Sequence, residues 1–168
     1  MNLNKVIVME FRQVLSNELL KLMAEDEKIV VLDADLGGPD GLNPVMKNYP
    51  NRFIQVGIAE ANMAGISAGL SAYGHKPVMV TFAPFATRRV YDQIAVSICY
   101  AKQNVKIVGT DPGITAELNG GTHMTFEDIA LMRCLPDVTI FDAVDDIQLA
   151  AFLPELLKLK GNGFAPMP

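Results

Sequence analysis

Short branched apolar runs alternate along the chain with stretches whose apolar positions recur every three or four residues. In "FRQVLSNELLKLMAED" (residues 11–26), Val14, Leu15, Leu19 and Leu22 share one side of a helix. "KIVVLD" (28–33) follows as an apolar run of the kind that a strand buried on both faces shows. The same alternation continues through strand-like "RFIQV", "PVMVTF", "VKIVGT" and "VTIFDA". Between them stand helical segments "VMKNYP", "EANMAGISAGLSAYG", "ATRRVYDQIAVSICYA", "TFEDIALMRCLP" and "DIQLAAFLPELLKL". Strands that alternate with helices predict an α/β fold, a three-layer, doubly wound and mainly parallel sheet covered on both faces. No linker divides the pattern, so residues 1–160 are expected to form one domain. "KGNGFAPMP", with the tail at residues 161–168, reads as a loop or as an abruptly ended continuation.

Composition narrows the chemistry. Half of the 168 residues are hydrophobic, enough for a sizeable core. A net charge of -5 without a basic run argues against nucleic acid and anionic membranes as partners. No apolar run approaches the ~20 residues of a membrane span. "MNLNKVIVMEFRQ" lacks the long apolar stretch and small-residue cleavage site of an export signal, so a cytoplasmic protein is expected. Cys99 and Cys134 fall in apolar helical segments without CxxC spacing and read as reduced, buried thiols. His75, in the turn "YGHKP" before a strand, reads as a loop residue away from any site.

Ligands of open α/β sheets bind beyond the carboxyl ends of the strands. The segments at those ends are "DADLGG" (33–38), "GIAEANM" (57–63), "TFAPF" (81–85) and the long "GTDPGITAELNGGTH" (109–123). None is a GxxxxGK[ST] or GxGxxG phosphate cradle. One glutamate, Glu60, stands among small and apolar residues. On spacing alone it is a carboxylate at a helix start, complementing the helix dipole.

The segments "FIQVGIAEANMAGISAGLSAYGHKPVMVTFAPF", "NVKIVGTDPGI", "GGTHMTFEDIALMR" and "LPDVTIFDAVD", in this order, resemble the pyrimidine-binding domain of transketolases and related thiamine diphosphate enzymes. The likeness covers roughly residues 8–160 and is nearest to small transketolases split into two subunits. It implies a shared active site. A partner subunit's pyrophosphate-binding domain holds the diphosphate and Mg²⁺ through a GDG motif, which this chain lacks, while this domain holds the aminopyrimidine.

The resemblance gives Glu60 a chemical reason. In the family a carboxyl hydrogen-bonded to N1′ of the pyrimidine promotes the imino form of the 4′-amino group, which then removes the thiazolium C2 proton. An apolar setting favours the protonated carboxyl, so a proton is available to share. Phe82 and Phe85 match the aromatic positions of the pyrimidine pocket, with Phe85 expected to stack, and Asp35 of "ADLGG" matches an aspartate near the cofactor and subunit contact. His123 of "GGTH" matches a histidine near the reaction centre. Arg88 stands where large transketolases often carry Tyr. It and Arg89 are either a solvated helix start or, where one faces the cleft, a partner for an anionic substrate group.

Several positions depart from the family. Pro39 stands where a phosphate-binding Ser is common, Asp111 replaces an upstream His, Asn119 replaces an Asp that binds sugar hydroxyls, and Leu118 replaces the Glu before it. Asp111, Asn119 and Arg88 are therefore the expected substrate-recognition positions, with altered preference or lost turnover. The expected function is two-carbon ketol transfer between a ketose and an aldose, with two copies of each subunit and a sugar or sugar-phosphate substrate. A third, C-terminal domain of the family is absent from this sequence. The alternatives are a non-catalytic interaction subunit, and a deoxyxylulose-phosphate synthase-like or oxo-acid dehydrogenase β-like subunit. No metal ligand is expected in this chain. The Gly/Ala face of "MAGISAGLSAYG" is expected to pack on a partner or on its own sheet.

Overall fold

A computed structural model describes residues 9–168. The expectation of no export signal concerns mainly residues 1–8 and lies outside the described residues. Six strands form one parallel sheet: β1 (Ile29–Asp33), β2 (Phe53–Gln55), β3 (Lys76–Phe82), β4 (Lys106–Thr110), β5 (Val138–Ile140) and β6 (Asn162–Met167). Their order is β2-β1-β3-β4-β6-β5.

Strand alternation divides the core between two faces. Val31, Val78, Val80 and Val108 pack beneath helices α1 (Phe11–Glu25) and α7 (Asp146–Lys158), against Leu15, Leu19, Leu149 and Leu153. Leu32, Met79, Ile107 and Phe164 face the other side, against Met63, Ala64 and Ala68 of α3 (Glu60–Ala72) and Met132 of α6 (Asp128–Arg133). Burying each such large side chain contributes about 1.5–3 kcal/mol. α2 (Asn43–Asn48) packs against α1 and the 3₁₀ turn Pro50–Arg52 that leads into β2. Asp145 caps α7 by accepting the Gln148 N–H at 2.7 Å.

The five expected strands are present, and the tail read as a loop is a sixth. "NGFAPM" is buried throughout and lies between β4 and β5. Proline usually marks a strand edge, yet Pro166 sits inside this sheet. Gly163 and Met167 bond toward β4, whereas Phe164 accepts from Phe141 on the β5 side. Alternate residues face alternate neighbours, so Pro166 turns toward β5 beyond the last pair, Ile140 with Phe164. Its missing N–H leaves no ladder bond unmade.

The helix expected over residues 86–101 is broken. α4 (Ala83–Ala86) ends at Thr87, whose hydroxyl donates to the Ala83 carbonyl at 2.6 Å. A 3₁₀ turn (Arg88–Val90) and α5 (Tyr91–Gln93) follow, with a wider π-helical continuation over Ile94–Tyr100. Cys99 is buried as expected, but Cys134 is exposed, because α6 stops one residue before it. Ala64, Ser67 and Ala68 of α3 face the core, while Gly65 and Gly69 face outward with open space around them. His75 precedes β3 at the amino-terminal edge of the sheet. Among the described residues no helix is long and apolar enough to cross a membrane.

From β1 the chain crosses to β2 on one side, then returns past β1 to β3 on the other. The reversal opens a crevice above the carboxyl ends of β1 and β3.

Candidate active site

A cavity of about 260 Å³ occupies that crevice, lined by Ala34, Asp35, Leu36, Ile58, Glu60, Phe85, Arg89 and His123. Four segments supply it: the turns after β1 and β2, the α4 region after β3, and the long loop after β4. Glu60 opens α3 and is 4% exposed. A buried carboxylate requires a partner, and Arg89 Nη1 lies 2.5 Å from its Oε1. Arg89 also covers a face of Phe85, with its guanidinium carbon 3.7 Å from the ring centre.

Phe82, Phe85 and His123 form an aromatic cluster. The two phenylalanine rings are nearly parallel, with centres 6.0 Å apart, and His123 meets Phe85 edge-on at 5.1 Å. Gly109 allows α4 to lie on β4. A Cβ at this position would stand 3.0 Å from Ala83 Cα and 3.1 Å from the Phe164 ring. His123 Nδ1 is engaged with the Thr122 hydroxyl at 2.9 Å, which leaves Nε2 as the nitrogen able to exchange a proton.

Glu60, Phe85, His123 and Asp35 therefore meet in one cavity, and Phe82 backs it. The expected substrate residues do not line it. Arg88 pairs with Glu127 at 2.8 Å and donates to the Thr122 carbonyl at 3.2 Å. The bond from Arg88 to the Glu127 carboxylate, with one from the Phe126 N–H, draws Glu127 down to about 2. Asn119 ends an exposed 3₁₀ turn (Glu117–Asn119), and Leu118 is almost wholly exposed. Asp111 lines a small neighbouring crevice with Arg12, Pro39 and Thr110, and burial raises its carboxyl above the usual range. The Pro39 carbonyl accepts from Arg12 Nη1.

Arg89, not Arg88, reaches the cavity, a distinction invisible in the sequence because it depends on the break at Thr87. Sequence reasoning also passed over Asp33 and Asp40. Asp33 is fully buried and accepts the N–H groups of Leu36 and Gly37. Asp40 is fully buried, bonds the Thr110 hydroxyl at 2.6 Å, and has a second oxygen without a partner. Burial pushes Asp40 up to about 7, with Asp33 and Asp111 adding to the rise. The spacing "DADLGGPD" places acids near a turn but carries no sign of their burial.

A roomier cavity of about 630 Å³ lies between α1 and α7, but its charged groups are already paired. Lys21 bonds Glu18, and Asp146 accepts the Met9 N–H. Among the described residues no group of three or more His, Cys, Asp or Glu side chains could hold a metal ion. The crevice thus offers an aromatic face, one buried carboxyl and an exchangeable histidine, a set suited to a flat heteroaromatic ring with a hydrogen-bonding nitrogen. Such a ring would take the place of the Arg89 guanidinium on both Phe85 and Glu60.

Residues 8–164 match the family described as "Transketolase, pyrimidine binding domain". The 6-deoxy-6-sulfo-D-fructose transketolase subunit of Clostridium sp. (strain MSTE9) is 50% identical over 143 residues, covering 85% of this chain and 44% of that protein. A putative transketolase C-terminal section of Methanocaldococcus jannaschii is 37% identical over 150 residues, covering 89% and 48%. The chain spans less than half the length of these two relatives. A solved structure of a split-gene transketolase, described as an inactive beta4 tetramer, superposes with a TM-score of 0.84 at 39% identity, covering 95% of this chain and 50% of that one. The chain belongs to the transketolase family, and residues 8–164 are its pyrimidine-binding domain.

Proposed function

We propose that this chain supplies the aminopyrimidine half of a thiamine diphosphate site in a two-subunit, transketolase-type transferase. The observation that carries the reading is the buried Glu60 carboxyl beside the Phe85 face, at the carboxyl edge of the sheet. A partner subunit holds the diphosphate and Mg²⁺, in an assembly with two copies of each subunit. Cys99 and Cys134, both free thiols, accord with a cytoplasmic setting.

Thiamine diphosphate, held between this chain and its partner, would supply the nucleophilic carbon needed for two-carbon ketol transfer. Glu60 holds a proton at N1′ of the pyrimidine, and its burial keeps water from competing for that bond. Phe85 orients the ring by stacking, and Phe82 keeps Phe85 in place. His123 exchanges a proton through Nε2 with substrate oxygens at the cavity wall. Asp35 lines the facing wall, and Arg89 would have to leave Glu60 for a pyrimidine to take its place.

The substrate reading follows the 50% identical relative, named for 6-deoxy-6-sulfo-D-fructose. A sulfonated ketose donor fits the replacement of a phosphate-binding Ser by Pro39 better than an ordinary sugar phosphate does. Asp111 and Asn119, set apart from the cavity, act on donor preference only if the partner subunit brings substrate to them.

The test is calorimetric titration of thiamine diphosphate with Mg²⁺ into the chain alone and into its mixture with the companion subunit. Binding only to the mixture, lost in Glu60→Ala, supports a shared site. A screen of sulfonated and phosphorylated ketoses then identifies the donor. An associated mixture that binds no thiamine diphosphate leaves the non-catalytic reading.

A further inference from the structure

Two walls of the cavity come from different turns. Ala34, Asp35 and Leu36 follow β1, whereas Ile58 and Glu60 follow β2. One side chain joins those turns. Gln55, the last residue of β2, accepts the Asp35 N–H at 2.8 Å and the Gly57 N–H at 2.9 Å on the same oxygen, Oε1. Its amide nitrogen donates to Asp33 Oδ2, and the Asp33 carboxylate accepts the N–H groups of Leu36 at 3.1 Å and Gly37 at 3.0 Å.

Both residues held by the Gln55 oxygen have left-handed backbones, φ 66° at Asp35 and φ 71° at Gly57. Aspartate tolerates this conformation better than most L residues, and the bond from its N–H to Gln55 helps to hold Asp35 in it. The side chain must offer an oxygen that accepts twice and a nitrogen that donates to a carboxylate. Glutamine does both. Glutamate would set a second carboxylate against Asp33, methionine would leave both N–H groups without this acceptor, and asparagine is one methylene short.

We propose that Gln55 is a positioning residue that fixes the separation between the Asp35 wall and the Glu60 wall before any ligand arrives. It acts through the backbone of Asp35 and Gly57, and touches no reacting group. Its effect on cofactor binding rests on the thiamine reading, but its effect on the two turns does not.

The test follows amide hydrogen exchange in the full chain without ligand, then titrates thiamine diphosphate into the assembled subunits. In Gln55→Met, exchange at Asp35 and Gly57 should accelerate about tenfold or more while β1 and β3 keep their protection, and thiamine diphosphate should bind about tenfold more weakly. In Gln55→Glu, the two amides should keep native protection below about pH 5, where the introduced carboxyl can carry the proton that Asp33 accepts, and lose part of it near pH 8, where the two carboxylates repel. Unchanged exchange at both amides in Gln55→Met overturns the proposal. So does acceleration spread evenly over every strand, which marks general destabilisation, or full affinity despite loosened turns. If the turns loosen but even the native assembly binds no thiamine diphosphate, the positioning role stands and the ligand reading fails.

Discussion

Arg89 touches Glu60 and Phe85 at once, with Nη1 2.5 Å from the carboxylate and the guanidinium carbon 3.7 Å from the ring centre. The cation therefore occupies both contacts assigned to the pyrimidine in the proposed function. Arg89 is 44% exposed in its side chain, so solvent screens the pair, and the two contacts together are worth roughly 1 kcal/mol. Arg89→Gln should tighten thiamine diphosphate binding to the assembled subunits by about fivefold. Calorimetry reads this directly, and weaker binding would show that Arg89 holds the ligand instead of yielding to it.

Glu60 and Phe85 should separate chemistry from binding. Glu60→Gln keeps the shape of the side chain but removes the exchangeable carboxyl proton, so turnover should fall by about 10²-fold or more while subunit association persists. Phe85→Leu should leave turnover at saturation nearly intact and weaken cofactor binding by about tenfold, the worth of a stacked ring pair. Steady-state kinetics across cofactor concentrations distinguishes the two outcomes.

Asp40 predicts a pH dependence of stability. Its folded value of about 7 lies above the ordinary 3.8, so between about pH 4 and 7 the folded chain binds a proton that the unfolded chain has released. Stability from this group is greatest at the acid end of that window, falls as pH rises through about 7, and is constant above it. Chemical denaturation across the window should show that slope, and Asp40→Asn should reduce it. An identical slope in the variant would assign the dependence to Asp33, Asp111 or Asp128, whose carboxyls burial also raises.

Gly109 predicts a steric coupling between sheet and site. The added methyl of Gly109→Ala meets the backbone of Ala83 and the ring of Phe164, neither of which can turn aside easily. Overpacking of this kind costs about 1–3 kcal/mol. The loss should appear in denaturation midpoints, together with weaker cofactor binding, because α4 carries Phe85.

The sequence disclosed most of the fold through its periodicity, since a strand buried on both faces leaves an apolar run such as "IVVLD". It hid β6, where Gly, Pro and Asn disguise a strand, and only pairing with β4 and β5 explains why they are tolerated there. The gathering of Glu60, Phe85, His123 and Asp35 was legible because each follows a strand and shares its carboxyl edge. Arg89 was not, because which of two adjacent arginines faces inward depends on the turn at Thr87. Gln55 and Asp33 were hidden for a similar reason: a polar residue at a strand end is commonplace, and only three-dimensional pairing shows what its hydrogen bonds hold.

The insertion of β6 between β4 and β5 governs the order in which the molecule can be completed. Among the described residues β5 pairs with β6 alone, so residues 138–140 gain no ladder partner until residues 162–167 have been synthesised and laid beside β4. During translation the first four strands can assemble as they emerge and α7 can dock on α1, whereas β5 gains its strand partner only from a segment made later. Until then the β4 edge and the Phe164 socket beneath it stand open to water and to other nascent chains. Until the sixth strand clears the ribosome, that unpaired edge is a place where aggregation can begin.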